Sequence, residues 1–325
     1  MTSAAQAVPL SLPGSLIRRL DHMAEAFLRP SDGPGFDFSQ PPGEPALVPA
    51  SSVSWRIYKN PVTLFIGGVT AVILELAEPG VRSGVWEHSS FRAAPVRRLQ
   101  RTGLAAMITV YGARSRAQAM IAGVGRMHAR VRGETPDGRA YRADDPELLT
   151  WVQATASFGF AEAYHRYVRP MSRAELDRLY DESIPVARLY GAVDAPRSEE
   201  ERETLFDAMR PRLEPSPIVF EFLALMRGAA VLPAPLRPLQ GLLLRAAVEA
   251  TPGWLRERLG LGPKFGLRPW QAALVRRICA TADRVPLHSS APVQSCLRLG
   301  LPADYLFRQP PAQGENPVRR TASDP

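Results

Sequence analysis

His128 is the residue whose surroundings are best suited to binding a metal or a cofactor. It lies in a segment, residues 115–132, whose pattern predicts a helix, and apolar residues four to eight positions before it share or border its helix face. A neutral imidazole on such a face can be an axial ligand of a haem iron, or a core histidine that donates one hydrogen bond. Gly123 and Gly125 each lower helix stability by about 1 kcal/mol and open flat space beside the imidazole for a porphyrin or a second helix.

A second group of reactive side chains lies in residues 85–102. Arg98 and Thr102 are four positions apart in a predicted helix, so both side chains point to one face. An arginine can pair with a propionate or stabilise an oxyanion, and a threonine hydroxyl can donate to bound dioxygen. Glu87 and His88 lie just upstream as a candidate proton acceptor or relay. The alternative interpretation is a surface helix whose charged residues pair with neighbours one turn away.

The elements that must position these groups are predicted to be almost entirely helical. Asp145 followed by Pro146 is a strong helix start, and Ser172 with Glu175 forms the pattern of a capping box. Runs with strand periodicity are scarce. Helices are predicted over residues 62–77, 95–111, 115–132, 144–168, 172–191, 198–213, 217–229, 235–260 and 269–283.

Turn-forming residues set the limits of this helical region. In the helix of His128, Ser115 is the predicted N-cap and Gly133 the predicted stop. The Pro-Asp-Gly chemistry of residues 134–143 suits a short hairpin or loop. Residues 30–54 are rich in Pro, Gly and Ser, which indicates an irregular arm. We therefore expect three parts: a partly disordered arm over 1–54, one helical domain over 55–305, and a disordered tail over 306–325.

Composition and missing motifs exclude several function classes. The chain has 40 Lys+Arg against 32 Asp+Glu, but the arginines are dispersed among acidic residues, with no basic run and no zinc-finger spacing, so we expect no nucleic-acid partner. The patterns GxGxxG, GxxxxGK[ST], HExxH and GxSxG are absent, which argues against Rossmann enzymes, P-loop enzymes, zinc metalloproteases and α/β-hydrolases.

The longest apolar run, residues 64–77, bears on membranes. It is shorter than the ~20 residues of a spanning helix and carries Glu75, so we expect no transmembrane segment, while peripheral membrane contact stays open. The two cysteines form no CxxC pair, and the N-terminal residues lack the order of a signal peptide. These features favour a cytoplasmic protein with reduced thiols. They specify no oligomeric state.

Taken in order, several segments resemble the MpaB-type oxygenases, whose domain also forms the catalytic core of latex-clearing protein (rubber oxygenase). The resemblance runs from about residue 65 to 262 and depends on the ordered set more than on any single piece. The segments are "ELAEPGVRSGVWEHSSF" (75–91), "RLQRT" (98–102), "YG" (111–112), "RMHARVRGETPDGRAYRADDPELLTWV" (126–152), "AYHRY" (163–167), "LDRLYDES" (176–183) and "TPGWLRERLGLG" (251–262).

This resemblance implies an all-α fold enclosing a pocket for b-type haem. It implies His128 as the proximal iron ligand, with Arg98 and Thr102 in the haem pocket. In characterised relatives the iron and dioxygen cleave a carbon–carbon double bond of an isoprenoid, and an acidic residue near the iron is the proposed base, for which Glu87 is the candidate by position. Arg101 stands where rubber-cleaving relatives have a lysine able to approach the iron, and arginine is a poor ligand.

Two departures from the family pattern bear on the chemistry. Many members have His-Pro where this chain has Glu78-Pro79, and many have Trp-Val-His where it has Gln153 as the third residue. A glutamine side chain cannot shuttle a proton.

From the residues and the resemblance together, we expect a haem b-dependent oxygenase that uses O2 on a small apolar, unsaturated isoprenoid- or lipid-like substrate. Catalytic roles fall to Glu87, Arg98 and Thr102, and haem contacts to His128, Arg98, Thr102 and His88. The alternative is a non-catalytic haem- or lipid-binding protein that retains the fold. A third hypothesis is a helical interaction protein.

Overall fold

Helices account for nearly all regular structure in the computed structural model, which describes residues 9–10, 13–28, 35–230 and 237–308. The expected all-α class is therefore confirmed. The helices are α1 Gly14–Leu28, α2 Val53–Ile57, α3 Pro61–Glu75, α4 Pro79–His88, α5 Pro95–Tyr111, α6 Arg114–His128, α7 Pro146–Tyr167, α8 Arg173–Leu189, α9 Glu199–Met209, α10 Pro217–Gly228, α11 Arg237–Ala250, α12 Gly253–Arg258, α13 Pro269–Ala282, α14 Ala291–Arg298 and α15 Tyr305–Arg308. A two-stranded antiparallel hairpin, β1 Arg132–Glu134 and β2 Ala140–Arg142, separates α6 from α7.

The centre of the fold is the contact between α3 and α7, where two glycines allow the backbones to touch. A Cβ on Gly67 would lie 2.7 Å from the carbonyl oxygen of Gly159, and a Cβ on Gly159 would collide with the carbonyl oxygen of Gly67. On the other side of α3, the Thr70 hydroxyl donates to the carbonyl of Ala247 in α11 at 3.1 Å. The apolar run of residues 64–77 thus forms a core helix, α3.

Local capping chemistry starts the helices where the sequence predicts. The side chain of Asp145 accepts from the backbone of α7, with 2.8 Å to Glu147 N, and Pro146 is the first residue of that helix. Ser172 and Glu175 form the predicted capping box of α8. The predicted helix over 235–260 is instead two helices, α11 and α12. The break falls at Pro252, which has no N–H to donate and therefore cannot continue the helix.

The helix of His128 has different ends from those predicted. Ala113, without a side-chain hydrogen bond, precedes the first turn of α6, and Ser115 binds the carboxylate of Glu44, with its N–H at 2.6 Å and its hydroxyl at 3.0 Å. The helix ends at His128, and the predicted stop, Gly133, instead belongs to β1, where it pairs with Tyr141. The predicted hairpin is confirmed.

Residues 35–50 are irregular, as the sequence predicts, and they pack on the helical domain. Phe38 is completely buried. The buried guanidinium of Arg298 in α14 donates to the carbonyls of Phe38 (2.7 Å), Glu44 (2.9 Å) and Tyr111 (2.7 Å). One side chain thereby joins this segment to the ends of α5 and α14. The rest of the predicted arm includes 1–8, 11–12 and 29–34, which with 309–325 of the predicted tail lie outside the described residues.

Within the described ranges, no single helix is both long and apolar enough to cross a membrane. Helices α3 and α4 reach that length and composition only as a pair, with a bend of 113° between them.

Candidate functional site

Arg98 and Thr102 share one face of α5, as their spacing predicts. The Arg98 guanidinium donates to the Thr102 hydroxyl oxygen, and that hydroxyl donates to the backbone carbonyl of Arg98 at 2.8 Å. Thr102 is exposed, and Arg98 is partly buried. The contact holds the guanidinium along the helix surface.

His128 is the last residue of α6 and is partly buried. Burial lowers the pKa of its imidazole, the positive charge of Arg98 lowers it further, and the carboxylate of Asp144 opposes both effects. The helices α5 and α6 therefore bring Arg98 within electrostatic reach of His128. A lowered pKa keeps the imidazole neutral at physiological pH, and only a neutral imidazole has a lone pair for a metal ion.

The surface of α6 beside His128 has room for a ligand. A Cβ on Gly125 would meet no atom within 4 Å, and one on Gly123 would meet only the tip of the Arg126 side chain, at 3.7 Å. Met127, next to the histidine, is 50% exposed although its side chain is apolar. The two glycines therefore leave open space on the helix that carries the candidate ligand.

Glu75 is a titratable neighbour of this group that the sequence analysis did not single out. It is the last residue of α3 and is partly buried. Burial raises the pKa of its carboxyl to about 7, and the charge of Arg98 opposes that rise. The signal was present in the sequence, because a glutamate at the end of an otherwise apolar run is costly unless it has a partner or a function.

Glu87 and His88 lie together at the end of α4, and both are exposed. The His88 Nε2 atom is 3.2 Å from the Tyr141 hydroxyl on β2. Burial raises the pKa of Tyr141, and the nearby Glu87 carboxylate raises it further. The described contacts of both side chains are thus with the hairpin that follows α6. A role for them in proton transfer stays a prediction.

The two departures from the family pattern have different surroundings. Glu78 is almost completely buried, its carboxylate accepts from the N–H of Val81 at 2.7 Å, and it pairs with Arg212 at 3.1 Å. It therefore caps α4 and is fixed by an ion pair. Gln153 is partly buried on α7.

The donor set at the α5–α6 face suits a cofactor that brings most of its own metal ligands. Among the residues that the structure describes, no group of three or more His, Cys, Asp or Glu side chains could hold a metal ion. A haem iron needs only one or two ligands from the protein, because the porphyrin supplies the others. A neutral His128, open space at Gly125 and a guanidinium for an acidic substituent meet those requirements.

Comparison with known proteins identifies the family of the chain. The model of the family described as "ER-bound oxygenase mpaB/B'/Rubber oxygenase, catalytic domain" matches residues 55–284. No curated protein and no solved structure gives a significant match. The matched segment is more than half of the 325 residues and contains Glu75, Arg98, Thr102 and His128. The chain therefore belongs to the family of the mpaB/B′ and rubber oxygenase catalytic domain.

Proposed function

We propose that this chain is a haem b-dependent oxygenase that uses O2 on a small apolar, unsaturated substrate of isoprenoid or lipid type, in which His128 would bind the iron. The family makes it an oxidoreductase with an oxygenase catalytic domain. The observation that carries the finer proposal is the position of His128, partly buried at the end of α6, beside the open space at Gly125 and within electrostatic reach of Arg98.

Each side chain of the site has a task that follows from its surroundings. The guanidinium of Arg98 binds a carboxylate, such as a haem propionate, because its forked N–H groups match two oxygens. The Thr102 hydroxyl accepts from Arg98 and so orients the guanidinium beside the cofactor. Bound haem would supply the activation of dioxygen, for which no amino-acid side chain has the redox chemistry.

Proton handling falls to Glu75 in this proposal, alongside Glu87. A carboxyl with a pKa of about 7 is protonated and ionised in comparable amounts at neutral pH, which suits a group that must both accept and return a proton.

Absorption spectra of the protein reconstituted with haemin test the first step. We expect a Soret band and tight binding in the wild type, and loss of both in His128→Ala, with added imidazole restoring the band. His288→Ala is the matched control, since that histidine is exposed and lies outside the site. Circular dichroism reports whether each variant stays folded. A folded wild type that takes up no haemin, or a His128→Ala variant with an unchanged spectrum, would sink the proposal.

One observation favours the alternative, a haem- or lipid-binding protein without turnover. Glu78 stands where the family resemblance implies a histidine, and its carboxylate is occupied by Val81 and Arg212. Oxygen consumption by the reduced, haem-loaded protein separates the two functions. Uptake that depends on an unsaturated apolar substrate indicates an oxygenase, and haem binding without uptake indicates the carrier.

A further inference from the structure

A cleft distant in sequence from His128 lies where α10, α11 and α13 meet. It has a volume of about 360 Å³ and is lined by three arginines together with Gln271. The arginines are Arg227 at the end of α10, Arg237 at the start of α11, and Arg245 later in α11. Three guanidinium groups around one small cleft repel one another unless an anion joins them.

The walls of this cleft are joined to one another by hydrogen bonds. The amide nitrogen of Gln240 donates to the carbonyls of Met226 (2.5 Å) and Ala229 (2.7 Å), which joins α11 to the end of α10. Arg245 donates to the carbonyls of Lys264 (2.8 Å) and Gly266 (3.0 Å), which joins α11 to the segment before α13. The fold thus fixes the Arg245 guanidinium and the two helix ends that carry Arg227 and Arg237, without a ligand.

The cleft is positive and has space. Arg227 and Arg237 are exposed, and neither has a carboxylate partner among the described residues. A Cβ on Gly241, which lines the cleft, would meet no atom within 4 Å. Guanidinium groups are planar and positively charged and carry several N–H donors. A cleft lined by three of them, with open space between its walls, is suited to a phosphate group.

The surface beside the cleft exposes two large apolar side chains at positions where polar residues are more usual. Trp270, which precedes Gln271 in α13, is 61% exposed, and Leu274, one turn later on the same face, is 41% exposed. Helix α13 contains no acidic residue, and its exposed Arg276 and Arg277 add positive charge. An exposed tryptophan among arginines is typical of a membrane interface, where the indole lies at the level of the headgroups.

We propose that this cleft binds the phosphate of an anionic phospholipid, with Trp270 and Leu274 inserted into the headgroup layer beside it. The positive charge of the surface is complementary to the negative charge of an anionic leaflet. A neutral apolar partner would not account for the arginines. The chain would then attach to a bilayer surface through α10, α11 and α13. This inference is independent of haem binding and of turnover.

Vesicle flotation with the full chain tests the proposal, using phosphatidylcholine alone and phosphatidylcholine mixed with phosphatidylglycerol. We expect binding only to the anionic vesicles, lost at high salt. Arg227→Gln/Arg237→Gln should weaken it about 25-fold, or roughly fivefold per arginine. Gly241→Met should also weaken it, because this change fills the cleft and leaves every charge in place. Trp270→Ala/Leu274→Ala should abolish it.

Matched controls distinguish binding at the cleft from nonspecific effects of net charge and of exposed apolar surface. Arg173→Gln/Arg188→Gln removes the same charge from α8, and Leu297→Ala removes an apolar side chain that is 52% exposed on α14. Both controls should bind as the wild type does. Unchanged binding in Gly241→Met, or equal loss in the controls, overturns the proposal. Calorimetry with inorganic phosphate adds a further arm: phosphate binding without vesicle binding would assign the cleft to a soluble anion and likewise overturn it.

Discussion

Two glutamates of this protein, Glu75 and Glu175, each lie near an arginine, and their carboxyl groups behave in opposite ways. Glu175 is buried at the start of α8, where it accepts from Arg169 at 2.6 Å, from Arg56 at 2.9 Å and from the N–H of Ser172 at 3.1 Å. Burial alone would raise its pKa, but the Arg169 and Ser172 hydrogen bonds outweigh burial and lower it. For Glu75 burial dominates, and the pKa rises to about 7.

The difference separates a structural charge from a reactive one. The hydrogen bonds of Glu175 satisfy its carboxylate, so it stays ionised and holds three segments together. The charge of Arg98 reduces the rise in the Glu75 pKa that burial causes, but it does not reverse that rise. The Glu75 carboxyl therefore keeps a proton that it can release near neutral pH. Partly buried charge is therefore informative about function only when its partners are counted.

Removing the structural glutamate should have the largest effect. We expect Glu175→Ala to lower the free energy of unfolding by about 3 to 5 kcal/mol, because it leaves Arg56 buried without its anion and deletes the capping box of α8. Urea denaturation measures the change. In the control Glu162→Ala, which breaks the more exposed pair with Arg166, the loss should stay below about 1 kcal/mol. Equal losses in the two variants would contradict the distinction.

The reactive glutamate should show itself in the pH dependence of stability. The folded-state pKa of Glu75, about 7, lies above its ordinary value of 4.5, so ionisation is costlier in the folded protein. Relative to Glu75→Gln, the wild type should lose stability as pH rises from about 4.5 to about 7, by up to about 3 kcal/mol, with no further change above that window.

Glu175→Gln gives the opposite sign in the same experiment. Since the pKa of Glu175 is lowered on folding, its contribution is present above the ordinary value and is lost as pH falls. Urea unfolding at a series of pH values resolves both curves. A Glu75 curve that is flat, or that rises with pH, would contradict the assignment of a raised pKa.

The Arg98 face can be compared with its neighbour Arg97 in the same helix. In haem-loaded protein, we expect Arg98→Ala and Thr102→Ala each to weaken haem binding about tenfold and to shift the Soret band, because the proposed function assigns both side chains to the haem pocket. Arg97, exposed on another face of α5, should tolerate the change to alanine with its spectrum intact. Identical behaviour of all three variants would mean that the face carrying Arg98 does not meet the cofactor.

The predictable features are those that depend on neighbours in sequence. Asp145 and Ser172 cap their helices through contacts two or three residues away, so their patterns sufficed. Ser115 was misassigned because its partner, Glu44, lies 71 positions away. No pattern had predicted α1, whose position depends in part on hydrogen bonds between Asp21 and Ser289.

The candidate site divides in the same way. Spacing alone placed Arg98 and Thr102 on one face of a helix, and the structure confirms that arrangement. The electrostatic contact between Arg98 and His128 joins two helices, and the raised pKa of Glu75 depends on how α3 packs against its surroundings. Such properties exist only in the folded chain, since burial and through-space charge have no local sequence pattern.

The smallest predicted effect tests that through-space contact directly. In haem-free protein, removing the charge in Arg98→Gln should raise the pKa of His128, because a positive neighbour disfavours the imidazolium. Asp144→Asn should lower it, because that carboxylate favours the imidazolium. The imidazole proton resonances, followed by NMR across the pH range, measure both shifts. Arg97→Gln is the control, because it removes the same charge from another face of α5. If Asp144→Asn shifted the pKa of His128 but Arg98→Gln did not, then α5 and α6 would not bring Arg98 and His128 into a common space. The contrast between Glu75 and the fully paired Glu175 would then carry no information about the candidate site.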